Sequence, residues 1–311
     1  MSPACPLCRS PESKVCLDDV RDYITGRRFA IHRCRACGVQ STLPQPADLS
    51  PYYPASYRRY HGPVRAALQW LYGWRMRALR QAVSRTGLAL DLGCGDGWML
   101  QSLRRHGWSV VGIERTTQSA IPAAAEHRLP MVVGSLDAIR PAPCLDLIIM
   151  FHVLEHLEDP LGALRQCVAR LKPDGLLLIS VPNLDSWQAR WFGRHWLHLD
   201  VPRHLFHFSP SSLRHLLERV GLRVETVRYV SWEHDPYGWL QSGLNRLGFP
   251  PNLLTSMLME RELMFRRPLR TLVMGSVAAV LVVPSVGFAL ASWVMRRGAI
   301  IEVWAKRCEP R

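Results

Sequence analysis

The chain has 311 residues, 48% of them hydrophobic, and a formal net charge of +14 that is carried almost entirely by arginine. This length allows one large domain and a smaller module, and the absence of internal repeats and low-complexity segments excludes repeat and low-complexity architectures. The charge suggests an anionic partner, which could be a membrane surface, a phosphorylated substrate or nucleic acid. Because no secretory leader opens the sequence, we expect a cytoplasmic location, where the nine cysteines would be metal ligands or buried thiols.

Two C-x-x-C pairs lie near the N-terminus, Cys5 with Cys8 and Cys34 with Cys37. The stretch between them, residues 15–33, has the pattern of a short β-hairpin that would bring the pairs together. Four thiolates arranged in this way form a tetrahedral site for Zn²⁺. A redox pair is the alternative, but it would not require the second C-x-x-C. We therefore expect residues 1–42 to form a zinc-ribbon-like module with a structural zinc ion.

Residues 43–85 are expected to form a linker and a lead-in helix. The linker, to residue 62, is rich in proline and tyrosine, and its aromatic side chains would pack on a neighbouring domain or cover a pocket. Residues 64–85 place apolar side chains at helical spacing, with arginines between them. Such a helix could cover a sheet with a solvated arginine face, or lie on anionic lipid.

The next stretch, Leu88 to Leu92, reads as a buried strand that runs into a glycine turn with Gly93 and Gly95. A helical pattern follows from Trp98. Glycines in such a turn let the backbone approach a ligand, which predicts a nucleotide-type cofactor. Trp98 stands where the dinucleotide fingerprint requires its third glycine, so a pyrophosphate is disfavoured. Asp91, at the end of the strand, could meet a cationic group.

Four further apolar stretches of strand length follow in order, at residues 109–114, 131–136, 145–151 and 175–181. The first ends in Glu114, about one βαβ unit after Asp91, where a carboxylate would accept hydrogen bonds from ribose hydroxyls. Segments of helical length separate the strands. This alternation predicts an α/β fold with a parallel sheet that is covered on both faces.

The sequence from Leu88 to Gly97 has the pattern hydrophobic–Asp–hydrophobic–Gly–x–Gly–x–Gly. It resembles the first motif of class I S-adenosylmethionine (SAM) methyltransferases. The resemblance covers Leu88 to Trp232 and the last strand, and it implies a Rossmann-like, seven-stranded sheet whose final two strands are antiparallel. We expect residues 86–232 to form the SAM-binding core and residues 298–311 to supply its last strand. The cofactor-binding residues that the resemblance implies are Asp91, Gly93 and Gly95 at the methionine end, Glu114 at the ribose, Ser135 and Leu136 near the adenine, and Phe151.

After the fourth strand the sequence continues as His152-Val153-Leu154-Glu155-His156. This run resembles the post-strand motif of SAM methyltransferases that act on quinones, sugars and small lipidic acceptors. His152 is the first candidate for the base that deprotonates a hydroxyl acceptor, with Glu155, His156 and His195 as alternatives. A zincin-like metal site is disfavoured, because the order is H-x-x-E-H and the segment leaves a strand.

Residues 182–209 are rich in tryptophan and histidine, including His195, and could supply stacking surfaces and proton acceptors for the methyl acceptor. Some of these side chains must instead be core. The block resembles a subgroup of bacterial class I methyltransferases that are linked to cell-surface polysaccharide and glycolipid synthesis. A helix that is capped by Ser209 and a sixth strand, residues 222–232, are predicted to follow.

Residues 233–297 form an insertion before the last strand. It contains Thr271 to Met295, a run without charge that has arginines on both sides and is long enough to cross a bilayer. A single crossing would leave the last strand on the wrong side of the membrane. Because Pro284-Ser285 offers a turn, we expect a re-entrant or helical-hairpin anchor. A buried hairpin and a dimer interface are the alternatives.

These features together predict a SAM-dependent methyltransferase at the inner face of the cell membrane, whose acceptor is linked to a sugar, a lipid or a polyprenyl chain. A quinone O-methyltransferase is the first alternative. An RNA-modifying or RNA-binding protein is a second one, but the arginines are spread widely and no aromatic–basic platform for single strands is evident. Transfer itself requires no metal.

Overall fold

The computed structural model describes residues 4–53, 86–139, 144–260 and 262–308, together with residue 142 and a few positions between 66 and 83. The linker beyond residue 53 and most of the predicted helix 64–85 lie outside the described residues. The chain divides into two compact units. The sheet unit consists of Ala67–Val181, Leu213–Arg228 and Glu302–Arg311, and the cysteine unit consists of Met1–Ala66, Pro182–Ser212 and Tyr229–Ile301.

The sheet unit is built on a mostly parallel sheet. Within the described residues it has seven strands in the order β10-β11-β8-β7-β4-β5-β6. They are β4 (Leu88–Leu92), β5 (Ser109–Glu114), β6 (Met131–Val133), β7 (Leu145–Phe151), β8 (Leu171–Pro182), β10 (Leu222–Arg228) and β11 (Ile300–Arg307). β4 pairs in parallel with β5 and β7, and β10 and β11 form an antiparallel pair. This architecture confirms the predicted fold class.

The sequence explains the central strands and their ends. β4 and β7 are almost continuously apolar, and Leu90, Leu147 and Ile148 are fully buried because helices cover the sheet. β6 is shorter than the predicted strand 131–136, since Gly134 has φ +134 and ends the extended backbone. The helices that follow the strands are α1 (Trp98–Arg105), α2 (Thr117–His127), α3 (Pro160–Arg170) and α5 (Pro210–Glu218).

The cysteine unit contains a small antiparallel sheet and a group of helices. Its strands, among the described residues, run in the order β1 (Ser13–Arg21), β2 (Arg28–Cys34), β3 (Gln40–Leu43) and β9 (Phe206–His207). β9 pairs with β3 although it lies far along the chain, which joins the histidine-rich block to the cysteine module. The helices are α4 (Trp187–Phe192), α6 (Asp235–Arg246), α7 (Leu253–Met259), α8 (Glu262–Arg266) and α9 (Pro268–Val294).

The predicted hairpin in the apolar insertion is wrong, because α9 is one continuous helix of 27 residues with Pro284 inside it. Proline removes one backbone hydrogen bond, but packing on both sides of that position outweighs this loss. Before Pro284, Met274 and Ala278 share a buried cluster with Leu244 of α6. After it, the ring of Phe288 stacks on that of Trp239, also on α6, with 5.0 Å between ring centres.

Candidate active site

The glycine turn after β4 adopts backbone angles that favour glycine. Gly93, Gly95 and Gly97 have φ values of +73, +53 and +74, and Gly97 immediately precedes α1. The Gly93 N–H donates to the Ile113 carbonyl on β5 at 2.8 Å. A Cβ on Gly93 would lie 2.5 Å from a methyl of Val153, whereas a Cβ on Gly95 would meet open space. The turn is therefore packed beneath Gly93 and open above Gly95, as a backbone cradle for a ligand requires.

Two carboxylates stand at this turn, at the carboxyl ends of β4 and β5. Glu114 Oε1 accepts the Gly95 N–H at 2.5 Å, and Asp91 is buried. Burial and the negative charge of Glu114 raise the pKa of Asp91 well above its usual value. Burial also raises the pKa of Glu114, although hydrogen bonds from the N–H groups of Gly95 and Arg115 act in the opposite direction. A cationic ligand would relieve this repulsion, so the site fits SAM, which carries a positive charge and ribose hydroxyls.

The remaining residues predicted to contact the cofactor lie after β6 and at the end of β7. Ser135 begins a short 3-10 turn, Leu136–Ala138, and its hydroxyl donates to the Asp137 carboxylate at 3.0 Å. Leu136 is buried, and Phe151 is half-buried. The contact of these side chains with an adenine ring stays a prediction.

His152 and Glu155 form a buried pair directly after β7. His152 has φ +54, and its backbone N–H donates to the Ser180 carbonyl of β8 at 2.8 Å. Its Nδ1 lies 3.2 Å from Glu155 Oε1, and the two residues are 9% and 1% exposed. A proton held on Nδ1 by the carboxylate makes Nε2 the basic atom of the ring, as a general base requires. The contacts of Ser180 and Val153 could not be predicted from the sequence, because both depend on the sheet.

The other two histidines predicted as bases have different surroundings. His156 ends the 3-10 turn Leu154–His156 and is half-buried. His195 belongs to the cysteine unit, where it lines a cavity of about 280 Å³ together with Arg194 and Trp196. Burial, followed by the charges of Arg194 and Arg246, lowers the pKa of His195. Thus the sheet unit brings His152, Glu155 and His156 to one turn, and His195 is not part of that turn.

Most polar side chains of the histidine-rich block bind other parts of the cysteine unit. Arg203 is fully buried and lies 2.9 Å from an Asp22 oxygen and 2.8 Å from an Asp200 oxygen. The Thr42 hydroxyl donates to the His204 carbonyl at 2.6 Å and lies 2.9 Å from His207 Nε2. Because the hydroxyl proton is already used, His207 Nε2 must be the donor in this second contact. These groups stabilise the unit.

The four cysteines of the two C-x-x-C pairs lie together in the cysteine unit. Their sulfur atoms are all within 4.8 Å of one another, with Cys5 and Cys37 at 3.8 Å and Cys8 and Cys34 at 3.5 Å. Tetrahedral zinc with Zn–S bonds of about 2.3 Å places sulfur atoms roughly 3.8 Å apart, which this arrangement fits. Burial alone would raise the pKa of Cys34, but hydrogen bonds from the Cys37 N–H and the Cys8 thiol lower that pKa to about 7.

Comparison with known proteins covers the sheet and its glycine turn. Residues 71–227 match the family model of a methyltransferase domain. A protein from Xylella fastidiosa named ubiquinone biosynthesis O-methyltransferase is 30% identical in an alignment of 193 residues that covers 56% of this chain and 77% of that protein. A protein of the same name from Bradyrhizobium diazoefficiens is 34% identical in an alignment of 106 residues that covers 32% of this chain and 41% of that protein.

A solved structure supports the fold. A chain in the complex between a methyltransferase activator and a methyltransferase from Haloferax volcanii aligns with a TM-score of 0.51, at 17% identity, over 80% of this chain and 94% of its own length. At this identity the likeness concerns the fold alone. The family match leaves the cysteine pairs and α9 outside its range.

Proposed function

The chain belongs to the methyltransferase-domain family of class I SAM-dependent enzymes, and from this premise we propose that it methylates a hydroxyl group of a quinone-type acceptor. The observation that carries this proposal is the likeness to the Xylella fastidiosa protein named ubiquinone biosynthesis O-methyltransferase, over 77% of the length of that protein. The buried His152–Glu155 pair supports it, because O-methylation of a hydroxyl needs a base.

In such a reaction, different residues of the sheet unit would bind the cofactor and deprotonate the acceptor. When bound, SAM supplies a methyl group that its positively charged sulfur has already activated. Asp91 and Glu114 would hold the cationic and ribose portions, and the glycine turn would let the backbone come close to them. His152 Nε2 would take the proton of the acceptor hydroxyl, and the Glu155 carboxylate would stabilise the charged imidazole.

Methyl transfer to extracted acceptors tests the proposal. The full-length protein is incubated with SAM carrying a tritiated methyl group and with a lipid extract. The extract comes from a bacterial strain whose own ubiquinone O-methyltransferase has been deleted. We expect label in the isoprenoid-quinone fraction, and label only in a sugar-containing or RNA fraction would contradict the proposal. His152→Gln should lower kcat by about 10²–10⁴-fold without changing SAM affinity.

A second candidate is an acceptor linked to a sugar, a lipid or a polyprenyl chain. The observation that favours it is the extent of the matched region, since the family model does not reach the cysteine pairs or α9. Additional segments of this kind would suit an acceptor that differs from those of the matched relatives. Label in a glycolipid or polyprenyl-linked fraction, with none in quinones, would select this candidate.

We further propose that Cys5, Cys8, Cys34 and Cys37 hold a structural zinc ion, which the spacing of their sulfur atoms supports. Cys37→Ser should lower the zinc content and the melting temperature while leaving SAM affinity unchanged. Cys16→Ser is the matched control, because Cys16 is an exposed cysteine of β1 outside the cluster. Full zinc content in the Cys37 variant would contradict this site.

A further inference from the structure

One side of α9 leaves large apolar side chains uncovered. Leu272 is 68% exposed and Val283 is 78% exposed, and the same side carries Leu269, Val273, Val280 and Val294. We call these six residues the apolar face of α9. The helix is long and apolar enough to cross a membrane by length and composition. An uncovered apolar surface of this extent is uncommon on soluble monomers and indicates an interaction site.

The opposite side of α9 packs along the whole of α6. The contacts proceed in order from Met274 and Ala278 beside Leu244, through Phe288 on Trp239, to the Trp293 indole N–H, which donates to the Asp235 carboxylate. Asp235 also accepts the Ala299 N–H at 3.0 Å, next to the end of the helix. Both halves of α9 are thus fixed to the same protein surface.

The composition of α6 argues against a crossing of the bilayer. Its buried Gln241 side chain donates a hydrogen bond to Asn245, whose amide donates in turn to Asn252, and Asp235 is fully buried at its first turn. If α9 crossed the hydrocarbon layer, these polar groups would have to enter it as well, at a high free-energy cost. A helix that is covered by protein on one side and bare on the other can instead lie in the plane of the interface.

The two ends of α9 carry groups that are typical of membrane interfaces. Arg266 and Arg267 are exposed before the helix, beside the exposed Phe265, and Arg296 is exposed after it. Trp232, which is half exposed, contacts Trp293 at 4.5 Å between ring centres. Aromatic rings and arginines at both ends suit a surface of anionic headgroups, and a single span would place one set of arginines on the far side.

We propose that the apolar face of α9 docks in the plane of an anionic phospholipid bilayer, with Arg266, Arg267 and Arg296 on the headgroups. This contact does not depend on the identity of the methyl acceptor. It brings the chain to a lipid surface without a transmembrane crossing.

Binding of the full-length protein to vesicles tests the proposal. We expect it to sediment with vesicles of phosphatidylcholine mixed with phosphatidylglycerol, and to bind phosphatidylcholine alone much more weakly. L272E combined with V283E should reduce binding by at least about tenfold. V15E combined with I24E is the control, since these residues are also exposed and apolar but lie in the β1–β2 region. Equal losses in both double variants would overturn the proposal.

The arginines provide an independent measurement. Replacing Arg266, Arg267 and Arg296 by glutamine should weaken binding by roughly fivefold for each residue and reduce its dependence on salt. Unchanged binding would overturn the role given to these charges.

The orientation of α9 is tested with R267K and R296K, which introduce amines at the two ends. In the vesicle-bound protein we expect a membrane-impermeant amine reagent to label both positions. Labelling of one position or of neither would contradict an in-plane orientation.

A second copy of the chain is the other occupant that this face could bind. A stable dimer in analytical ultracentrifugation that is abolished by L272E with V283E, together with no vesicle binding, would replace the proposal by a dimer interface.

Discussion

The two units each bury a charged side chain, but its charged neighbours differ. In the cysteine unit, the buried guanidinium of Arg203 contacts the carboxylates of Asp22 and Asp200. In the sheet unit, the charged neighbour of the buried Asp91 carboxylate is a second carboxylate, that of Glu114. Opposite charges at Arg203 offset the cost of burial, and the group stabilises its own unit. Like charges at Asp91 raise that cost, which a cationic ligand would relieve. The difference teaches that a buried charge indicates a ligand site when the neighbouring protein charges increase, rather than offset, the free-energy cost of its burial.

The largest effect is expected at the glycine turn. Gly95→Arg would fill the open space above the turn and should reduce SAM affinity by about a hundredfold. Gly26→Arg is a matched control in the cysteine unit, since Gly26 also has a positive φ, +71, and open space around its Cβ position. Calorimetric titration of both variants with SAM separates two causes of a lost affinity. Backbone strain is common to both variants, whereas only Gly95→Arg blocks the ligand-binding turn. Equal affinities would contradict the assignment of the turn.

The next effect concerns stability of the cysteine unit. Arg203→Met leaves Asp22 buried without its guanidinium partner and should lower the free energy of unfolding by about 3–5 kcal/mol. Arg28→Met removes a surface pair with Asp19 and should cost less than about 1 kcal/mol. Urea unfolding measures both. If the folded Arg203 variant lost SAM affinity, the purely stabilising role of Arg203 would be wrong.

Acid should affect the two units in opposite directions. Burial lowers the pKa of His207 from 6.5 to about 4, so the folded protein takes up this proton less readily than the unfolded chain. Its contribution to stability, roughly 3 kcal/mol, is present above pH 6.5 and is lost as the pH falls towards 4.

His207→Gln should therefore flatten the acid side of the stability profile, and His106→Gln, at an exposed position of the sheet unit, should not. The raised pKa values of Asp91 and Glu114 act the other way, since protonation of these groups favours the folded state. Thermal unfolding at several pH values measures the difference. An unchanged profile in the His207 variant would contradict this assignment.

Features that depend on neighbouring residues in the chain could be predicted from the sequence. The glycine turn after a buried strand and the alternation of strands and helices follow from local spacing, and the family of the chain is indicated by the resemblance that the motif at this turn carries. The antiparallel pairing of β10 with β11 was expected only from the resemblance, because an insertion separates the two strands.

Features that depend on partners far along the chain could not be predicted. Arg203 reads as one basic residue of a histidine-rich block, and its partner Asp22 lies in the N-terminal module. The apolar run 271–295 predicts a hairpin because a single crossing would separate the last strand from its sheet and Pro284 offers a turn, whereas α6 supplies the packing that keeps α9 continuous. Likewise, the pairing of His152 Nδ1 with Glu155 depends on the left-handed backbone of His152.

The most direct test of the central claim, that the buried carboxylate of Asp91 and the half-buried one of Glu114 hold a cationic cofactor at the glycine turn, is calorimetric titration of SAM as a function of pH. A bound cation lowers the raised pKa of Asp91 and Glu114, so binding should release protons. SAM affinity should increase as the pH rises from 3.8, the ordinary pKa of aspartate, through the raised values. Asp91→Asn should bind SAM more weakly and release fewer protons. Binding without proton release, or affinity that falls as the pH rises through this range, would contradict the account.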